Sequence, residues 1–357
     1  MPTDTLDRQQ AFSGTTRADI EAAALEAYLA QHIESFEGPL RLARFKGGQS
    51  NPTYKLSTPA KSYVLRRKPF GRLLPSAHAI EREYRVTAAL AGAGFPVARP
   101  LHLCTDETII GAAFYVMEHA EGRVFWEPHA PGLSAKERAS LFTALNATIA
   151  SLHGLNPDEL GLGDFGKPQG YVARQIRRWS EQYRASETAV IAEMDQLIRW
   201  LPGVCPGDSG IAIIHGDFRL DNCIIHPEEP RVIAVLDWEL STLGDPLADF
   251  TYHLMQWFMP RSETGAGVGS LLGHEQEPGL PAIDRYIADY CRRTGREGIP
   301  DLNIYLAYNF FRLAAILQGI LGRVRDGTAA NAQAAAMARQ VRPLAETAWR
   351  FARKVGA

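Results

Sequence analysis

The period of the hydrophobic pattern changes once along the chain, and that change restricts the fold more than any other feature. Three short runs, RLARF (41–45), TYKLS (53–57) and SYVLRR (62–67), are separated by Gly, Pro, Asn and Ser signals. Such runs predict a small antiparallel meander. Two more strands are expected near 100–104 and 113–118. From Ser134 the spacing lengthens: Leu141, Leu145, Ile149 and Leu152 fall at i, i+4, i+8 and i+11, one stripe of a helix. Helical patterns also cover 170–185, 187–200, 245–258, 282–294, 302–323 and 329–354, with strand-like runs at 211–215, 222–226 and 231–237. The expected class is α+β: a β-rich lobe over 1–118, a hinge over 119–123, and a mainly helical lobe over 124–357.

Local signals set some of the boundaries. Ser134 with Glu137, and Thr16 with Asp19, have capping-box spacing, the latter before a helix running to about residue 34. Ser76 is expected to cap a helix through AIEREYRVTAAL. The polar stretch Glu118-His119-Ala120-Glu121-Gly122 suits the linker.

Composition excludes several classes. With 46% apolar and 22% charged residues among 357, the chain is neither collagen-like nor disordered. Its net charge of −2 provides no overall attraction for nucleic acid or an anionic membrane. Four cysteines without a C-x-x-C pair fit a reducing, cytoplasmic setting. No apolar run is read as long enough to span a bilayer, and MPTDTLDRQQ lacks the basic-then-apolar order of a cleaved signal.

Locally, charge is strongly segregated. Between Gly38 and Ile80 there is no Asp or Glu but nine Lys and Arg; between Cys205 and Phe250 nine acids face only Arg219 and Arg231. Cations for phosphate oxygens and carboxylates for a hard divalent ion are what a metal–polyphosphate substrate needs, although separate solvated faces give the same count.

The segment Ile214-His215-Gly216-Asp217-Phe218-Arg219-Leu220-Asp221-Asn222 lies between two strand-like runs, and a third run ends in Leu236-Asp237-Trp238-Glu239. It offers a carboxylate after a glycine, an amide oxygen five residues later, and another carboxylate at a strand end. A base and two hard-oxygen ligands of this kind suit Mg²⁺ with phosphate and water completing the shell.

H-G-D-x-x-x-x-N at 215–222, followed by L-D-W-E and G-D-P-x-x-D, resembles the aminoglycoside phosphotransferase and choline kinase family. The strings GGQSNPTY, YVLRRKP and FYVMEHAEGRVF look closest to the kinase-like domains fused to certain acyl-CoA dehydrogenases. The resemblance implies a protein-kinase-like two-lobed fold, with a small antiparallel five-stranded N-lobe carrying one helix and a helical C-lobe. It implies ATP and Mg²⁺ as cofactors, and transfer to the hydroxyl of a small molecule. By resemblance Asp217 is the catalytic base, His215 organises its loop, Arg219 belongs to the same catalytic set, and Asn222 and Asp237 are metal ligands. Asp245 and Asp249 steady the loop, with an N-cap as the alternative for Asp245. Nucleotide contacts fall to Gly47, Gly48, Ser50 and Asn51, to Arg66 paired with Glu83, and to the backbone of Glu118 and Ala120. Arg66 stands where kinases usually carry lysine, and Arg67 is the alternative one residue on. Tyr305, Tyr308 and Phe311 suit either a core or a pocket wall, while Arg312 is a candidate acceptor contact.

A hydroxyacyl-CoA or hydroxy acid is the acceptor this resemblance favours, since 300–357 is basic rather than acidic; aminoglycosides and choline stay open. The competing class is a non-catalytic nucleotide-binding pseudokinase, which the joint presence of base and both ligands opposes. Expected partners are the nucleotide and the acceptor, without nucleic acid or membrane, and a homodimer is left open.

Overall fold

A computed structural model describes residues 20–45, 51–70, 79–261, 269–326 and 334–357. The proposed caps Thr16, Asp19 and Ser76 lie outside these residues. The chain divides into two compact units, Met1–Gly122 with Ile233–Glu239, and Arg123–Val232 with Leu240–Ala357. Residues 233–239, which the sequence pattern puts with the second lobe, thus belong to the first unit. A parallel bridge from Val97 to Val235, a 2.9 Å bond from the Val235 amide to the Pro96 carbonyl, and the Phe95 ring edge-on to Trp238 account for their place there.

In the first unit, β1 (Arg41–Arg44), β2 (Thr53–Ser57), β3 (Ser62–Arg67), β4 (Pro100–Cys104) and β5 (Phe114–Glu118) form one antiparallel sheet, ordered β1-β2-β3-β5-β4. Alternation along its strands makes two apolar faces. Leu56, Leu65, Phe114 and Val116 join Leu25 and Leu29 of α1 (Ala22–His32) in one core. Tyr115 and Met117, one residue out of phase, pack with Ile80 and Tyr84 of α2 (Ile80–Gly92) on the other. This phase decides where each arginine of β3 points.

The second unit is mainly helical: α3 (Ala135–His153), α4 (Tyr171–Ser186), α5 (Ala192–Val204), α6 (Pro246–Leu254), α7 (Ile283–Thr294), α8 (Leu302–Arg325) and α9 (Ala334–Arg353). Three short strands precede α6: β6 (Ala212–Ile214), β7 (Cys223–Ile225) and β9 (Thr242–Gly244), with β6 and β9 paired antiparallel; between the last two the chain runs through β8 (Val232–Val235). The Ser134 and Glu137 capping box is formed as expected. The helix expected from 187 begins instead at Ala192: residues 187–191 are not helical, Glu187 pairs with Arg184, and Thr188 accepts from the Gln318 amide. Helix α8 is apolar enough, over a window of 18 residues, to satisfy the length and composition of a membrane span, which the sequence reading had discounted. That window is 72% buried within the protein, as a core helix should be.

Candidate active site

The first unit gathers one charged cluster on the α2 side of its sheet. Arg66 lies opposite Tyr115 in the register and one residue out of phase with Leu65, so it shares the face that α2 covers. Its Nε sits 2.8 Å from Glu83 Oε2, while its Nη2 reaches Asp237 Oδ1 at 3.0 Å and Glu239 Oε2 at 3.4 Å. Burial opposes the charge on Arg66, but Glu83, Tyr115, Asp237 and Glu239 outweigh it and hold the guanidinium protonated. Burial also pushes the Glu83 carboxyl upward, against the pull of Arg66. With Asn51 Nδ2 at 2.8 Å and the Tyr115 hydroxyl at 3.3 Å donating as well, Glu83 is firmly anchored. Arg67 takes the other face: its guanidinium bonds the Tyr54 hydroxyl at 3.1 Å and stacks 3.7 Å above the Phe70 ring. The alternative register is therefore a packing residue.

Two of the expected nucleotide contacts have partners within the protein. Asn51 is fully buried with its side-chain amide on Glu83, where no phosphate need be invoked to satisfy it. The Glu118 amide donates to the Arg99 carbonyl at 2.9 Å and its carboxylate pairs with Arg99, so its N–H already has a partner within the protein. Ala120 is half-buried in the segment after β5. Gly47, Gly48 and Ser50 lie outside the described residues.

The second unit builds the catalytic loop. Gly216 has φ +84°, a left-handed conformation, and a Cβ there would meet the Leu240 carbonyl oxygen at 3.0 Å. Glycine is thus demanded by the turn that precedes Asp217. The loop hangs from Asp249, whose two oxygens accept the His215 and Gly216 amides at 2.8 Å each. His153 reaches the same carboxylate at 3.2 Å and is oriented by the Tyr290 hydroxyl at 2.7 Å. Burial alone raises the Asp249 carboxyl; the His153 bond and charge and the His215 contacts overcome it and hold the group below the usual carboxylate range. His215 is fully buried, and its Nδ1 accepts the Asp217 amide at 3.2 Å.

Asp217 itself is oriented from three sides. Oδ1 accepts from the Tyr252 hydroxyl at 2.7 Å and lies 3.2 Å from Arg219 Nε; Oδ2 accepts from Asn222 Nδ2 at 3.2 Å. Burial and the nearby Asp217 charge both raise the Tyr252 phenol, so it remains a donor. Oδ2, bonded among the described residues to Asn222, keeps acceptor capacity for a substrate hydroxyl. Since Asn222 spends its amide nitrogen on Asp217, its carbonyl oxygen is the atom it can offer a cation. Asp237, 39% exposed at the end of its strand and at φ +64°, supplies a carboxylate oxygen. Each is a hard oxygen of the kind Mg²⁺ prefers.

Arg312 has partners within the protein. It is buried, donates to the Gly216 carbonyl at 3.1 Å and lies 5.1 Å over the Tyr252 ring, so it braces the loop from behind. Asp245 caps α6 through the Leu247 and Ala248 amides and accepts from the Tyr305 hydroxyl at 2.9 Å. Tyr252, His153 and Glu239 were missed by sequence reasoning. Tyr252 had a signal: it follows Asp249 by three residues, which puts both on one helix face. A pocket in this unit is lined by Trp126, Pro128, Arg219, Asp221, Tyr252 and Gly269, among others, beside the Asp217 carboxylate's own partners.

The model of the phosphotransferase enzyme family matches residues 41–301. The chain belongs to that family. Acyl-CoA dehydrogenase family member 10 of Mus musculus is 44% identical over 338 residues, 93% of this phosphotransferase-family chain but 31% of the mouse protein. The chain spans less than half the length of the curated relatives it matches. A solved Ralstonia eutropha JMP134 protein, named as a candidate aminoglycoside phosphotransferase, is 49% identical with a TM-score of 0.84, covering 94% of this chain and 99% of its own. A thermostable mutant of aminoglycoside phosphotransferase APH(4)-Ia, solved with ADP and hygromycin B, shares the fold at 15% identity and a TM-score of 0.59, over 92% and 98% of the two chains. This family member has the kinase-like α+β fold.

Proposed function

We propose that the protein transfers the γ-phosphoryl group of ATP, with Mg²⁺, to the hydroxyl of a small metabolite, and that the acceptor is a hydroxyacyl-CoA or related hydroxy acid. The observation that carries the reading is the fixed Asp217 carboxylate, one oxygen held by Tyr252 and Arg219 and the other, oriented by Asn222, with a further lone pair to accept a proton from an incoming alcohol. Phosphoryl transfer asks mainly for positioning and charge neutralisation. The buried Asp249, His153 and Arg312 supply positioning by fixing the backbone on both sides of Gly216. Arg66, held by Glu83, supplies a charge for phosphate oxygens. When bound, Mg²⁺ neutralises phosphate charge; Asn222 and Asp237 would hold it. The acceptor class draws on the mouse relative, an acyl-CoA dehydrogenase family member by name, and on the basic balance of 300–357.

The test is ADP release and product mass with Mg²⁺-ATP across a panel of 3- and 4-hydroxyacyl-CoAs, free hydroxy acids, choline and aminoglycosides. Acceptor-dependent ADP release confined to the hydroxyacyl compounds is expected, with Asp217→Asn lowering turnover by about 10²–10⁴ while leaving nucleotide affinity in place. Nucleotide binding without transfer to any acceptor would return the chain to the pseudokinase reading. Full turnover in Asp217→Asn would remove the base.

A further inference from the structure

Outside the catalytic loop, the second unit brings together two imidazoles and a carboxylate that neither the family motifs nor the proposed reaction uses. His129 lies in the segment before α3, and His274 and Glu277 lie in the segment before α7. One donor atom from each of the three lies within 4.8 Å of the others, the group among the described residues that satisfies this for metal-binding side chains. The rings of His129 and His274 stack at 3.9 Å, His274 Nδ1 is 2.5 Å from Glu277 Oε1, and His129 Nε2 is 3.5 Å from Glu127 Oε2. We propose that His129, His274 and Glu277 form a structural site for a divalent transition metal ion of the zinc class.

The donor types argue for that class. Two imidazoles and one carboxylate suit Zn²⁺ and its first-row neighbours, whereas Mg²⁺ and Ca²⁺ prefer all-oxygen shells. Donors on one Zn²⁺ stand roughly 3.3 Å apart at the usual bond lengths, so closure from 4.8 Å takes a shift of about 1.5 Å. The ring planes are 11° apart, so one imidazole has to turn about its Cβ–Cγ bond before both lone pairs meet a single ion. Both histidines lie outside helices and strands, where such a turn leaves the backbone ladders intact.

The surroundings already hold the two segments in place. Arg138, buried on α3, donates to the His129 carbonyl at 2.8 Å, to the Pro278 and Leu133 carbonyls, and lies 3.3 Å from Glu277 Oε2. It keeps Glu277 oriented, as a supporting partner of a metal-bound carboxylate does. The same two segments contribute Trp126 and Pro128, and Gly269, to the pocket lined by Arg219 and Tyr252. An ion at His129 and His274 would therefore pin two walls of that pocket. The proposal does not depend on which acceptor, or any, is phosphorylated.

The test is titration of the chelator-treated full chain with Zn²⁺, and with Co²⁺ as an absorbing substitute, in excess Mg²⁺ to occupy oxygen-rich sites. One equivalent is expected to bind, with cobalt d–d bands showing nitrogen coordination. His274→Ala and Glu277→Gln should each weaken this binding by roughly a hundredfold and leave Mg²⁺-dependent nucleotide binding unchanged. Crystals of the unaltered protein soaked in Zn²⁺ cover the case of a variant that does not fold: an anomalous peak bonded to all three residues supports the site. No stoichiometric binding, binding unaltered in either folded variant, or an anomalous peak only elsewhere would overturn it.

Discussion

Arg66 and Arg67 are adjacent, identical in chemistry and both buried, yet the phase of β3 gives them different work. Arg66 meets three carboxylates, Glu83, Asp237 and Glu239, through a planar fork. A lysine has one compact ammonium on a flexible stem and cannot span the same acceptors. Arg66→Lys is thus expected to raise the nucleotide KM several-fold although it installs the usual kinase residue, and Arg66→Ala more so. Arg67→Ala removes a cation stacked on Phe70 and bonded to Tyr54, so it should lower the unfolding midpoint and leave the nucleotide KM unchanged. Steady-state kinetics beside urea denaturation separates the two; KM damage by Arg67→Ala with Arg66→Ala silent would reverse the assignment. The pairing of Arg66 with Glu83, present as a 2.8 Å contact, was legible only through the family resemblance. The reach of Arg66 to Asp237 was not, since the two stand 171 residues apart and no local spacing records that contact.

At the scale of elements, helix ends were legible where a side chain caps them and obscure where the end is set elsewhere. Ser134 and Glu137 close a reciprocal cap at α3, with the Glu137 amide on Ser134 Oγ at 3.3 Å and the Ser134 amide on Glu137 Oε2 at 2.9 Å. Ser134→Ala should cost about 1 kcal/mol of unfolding free energy, read from denaturant titration, without altering turnover. Helix α5 starts at Ala192 with no side-chain cap, and the residues before it are bonded from far along the chain, Thr188 by Gln318 and the Glu187 carbonyl by Arg325. Periodicity alone therefore placed it five residues early. Helix α6 presents a related case. Its Asp245 cap was readable from G-D-P, but the use of Asp249 to hold two loop amides depends on β6 delivering His215 and Gly216 to it. Asp249→Asn replaces one acceptor oxygen by a donor facing backbone N–H groups. Turnover should fall at least tenfold and stability by about 1–3 kcal/mol, measured by kinetics and calorimetry together. A loss of stability with unimpaired turnover would show that the loop does not need this anchor.

Over the whole molecule, buried imidazoles and carboxylates lean the same way with pH. His253 is fully buried between the Phe218 carbonyl at 3.2 Å and the Tyr286 hydroxyl at 2.8 Å, and burial pushes its imidazole down to about 4, partly offset by the Phe218 carbonyl. The unfolded chain protonates this ring near 6.5 and the folded chain only near 4. Between those values the unfolded state binds more protons, so stability falls as pH falls, by on the order of 3 kcal/mol across the window. Burial lowers His102, His119 and His129 as well, adding in the same direction. Asp249, held below the usual carboxylate range, contributes stability that is present above its unfolded pKa and lost only as pH drops through its folded value, so it extends the loss to lower pH. Glu83 opposes the trend: its carboxyl is raised, so its cost diminishes on acidification, but it is one group against five. Urea midpoints measured from pH 7.5 to 4 should therefore decline, steepening below about 6.5. His253→Gln should start lower at neutral pH, from lost packing, yet decline less steeply because the ring that titrates only in the unfolded chain is gone. Parallel curves for the two proteins would show that His253 contributes no proton linkage, and that the acid sensitivity arises elsewhere.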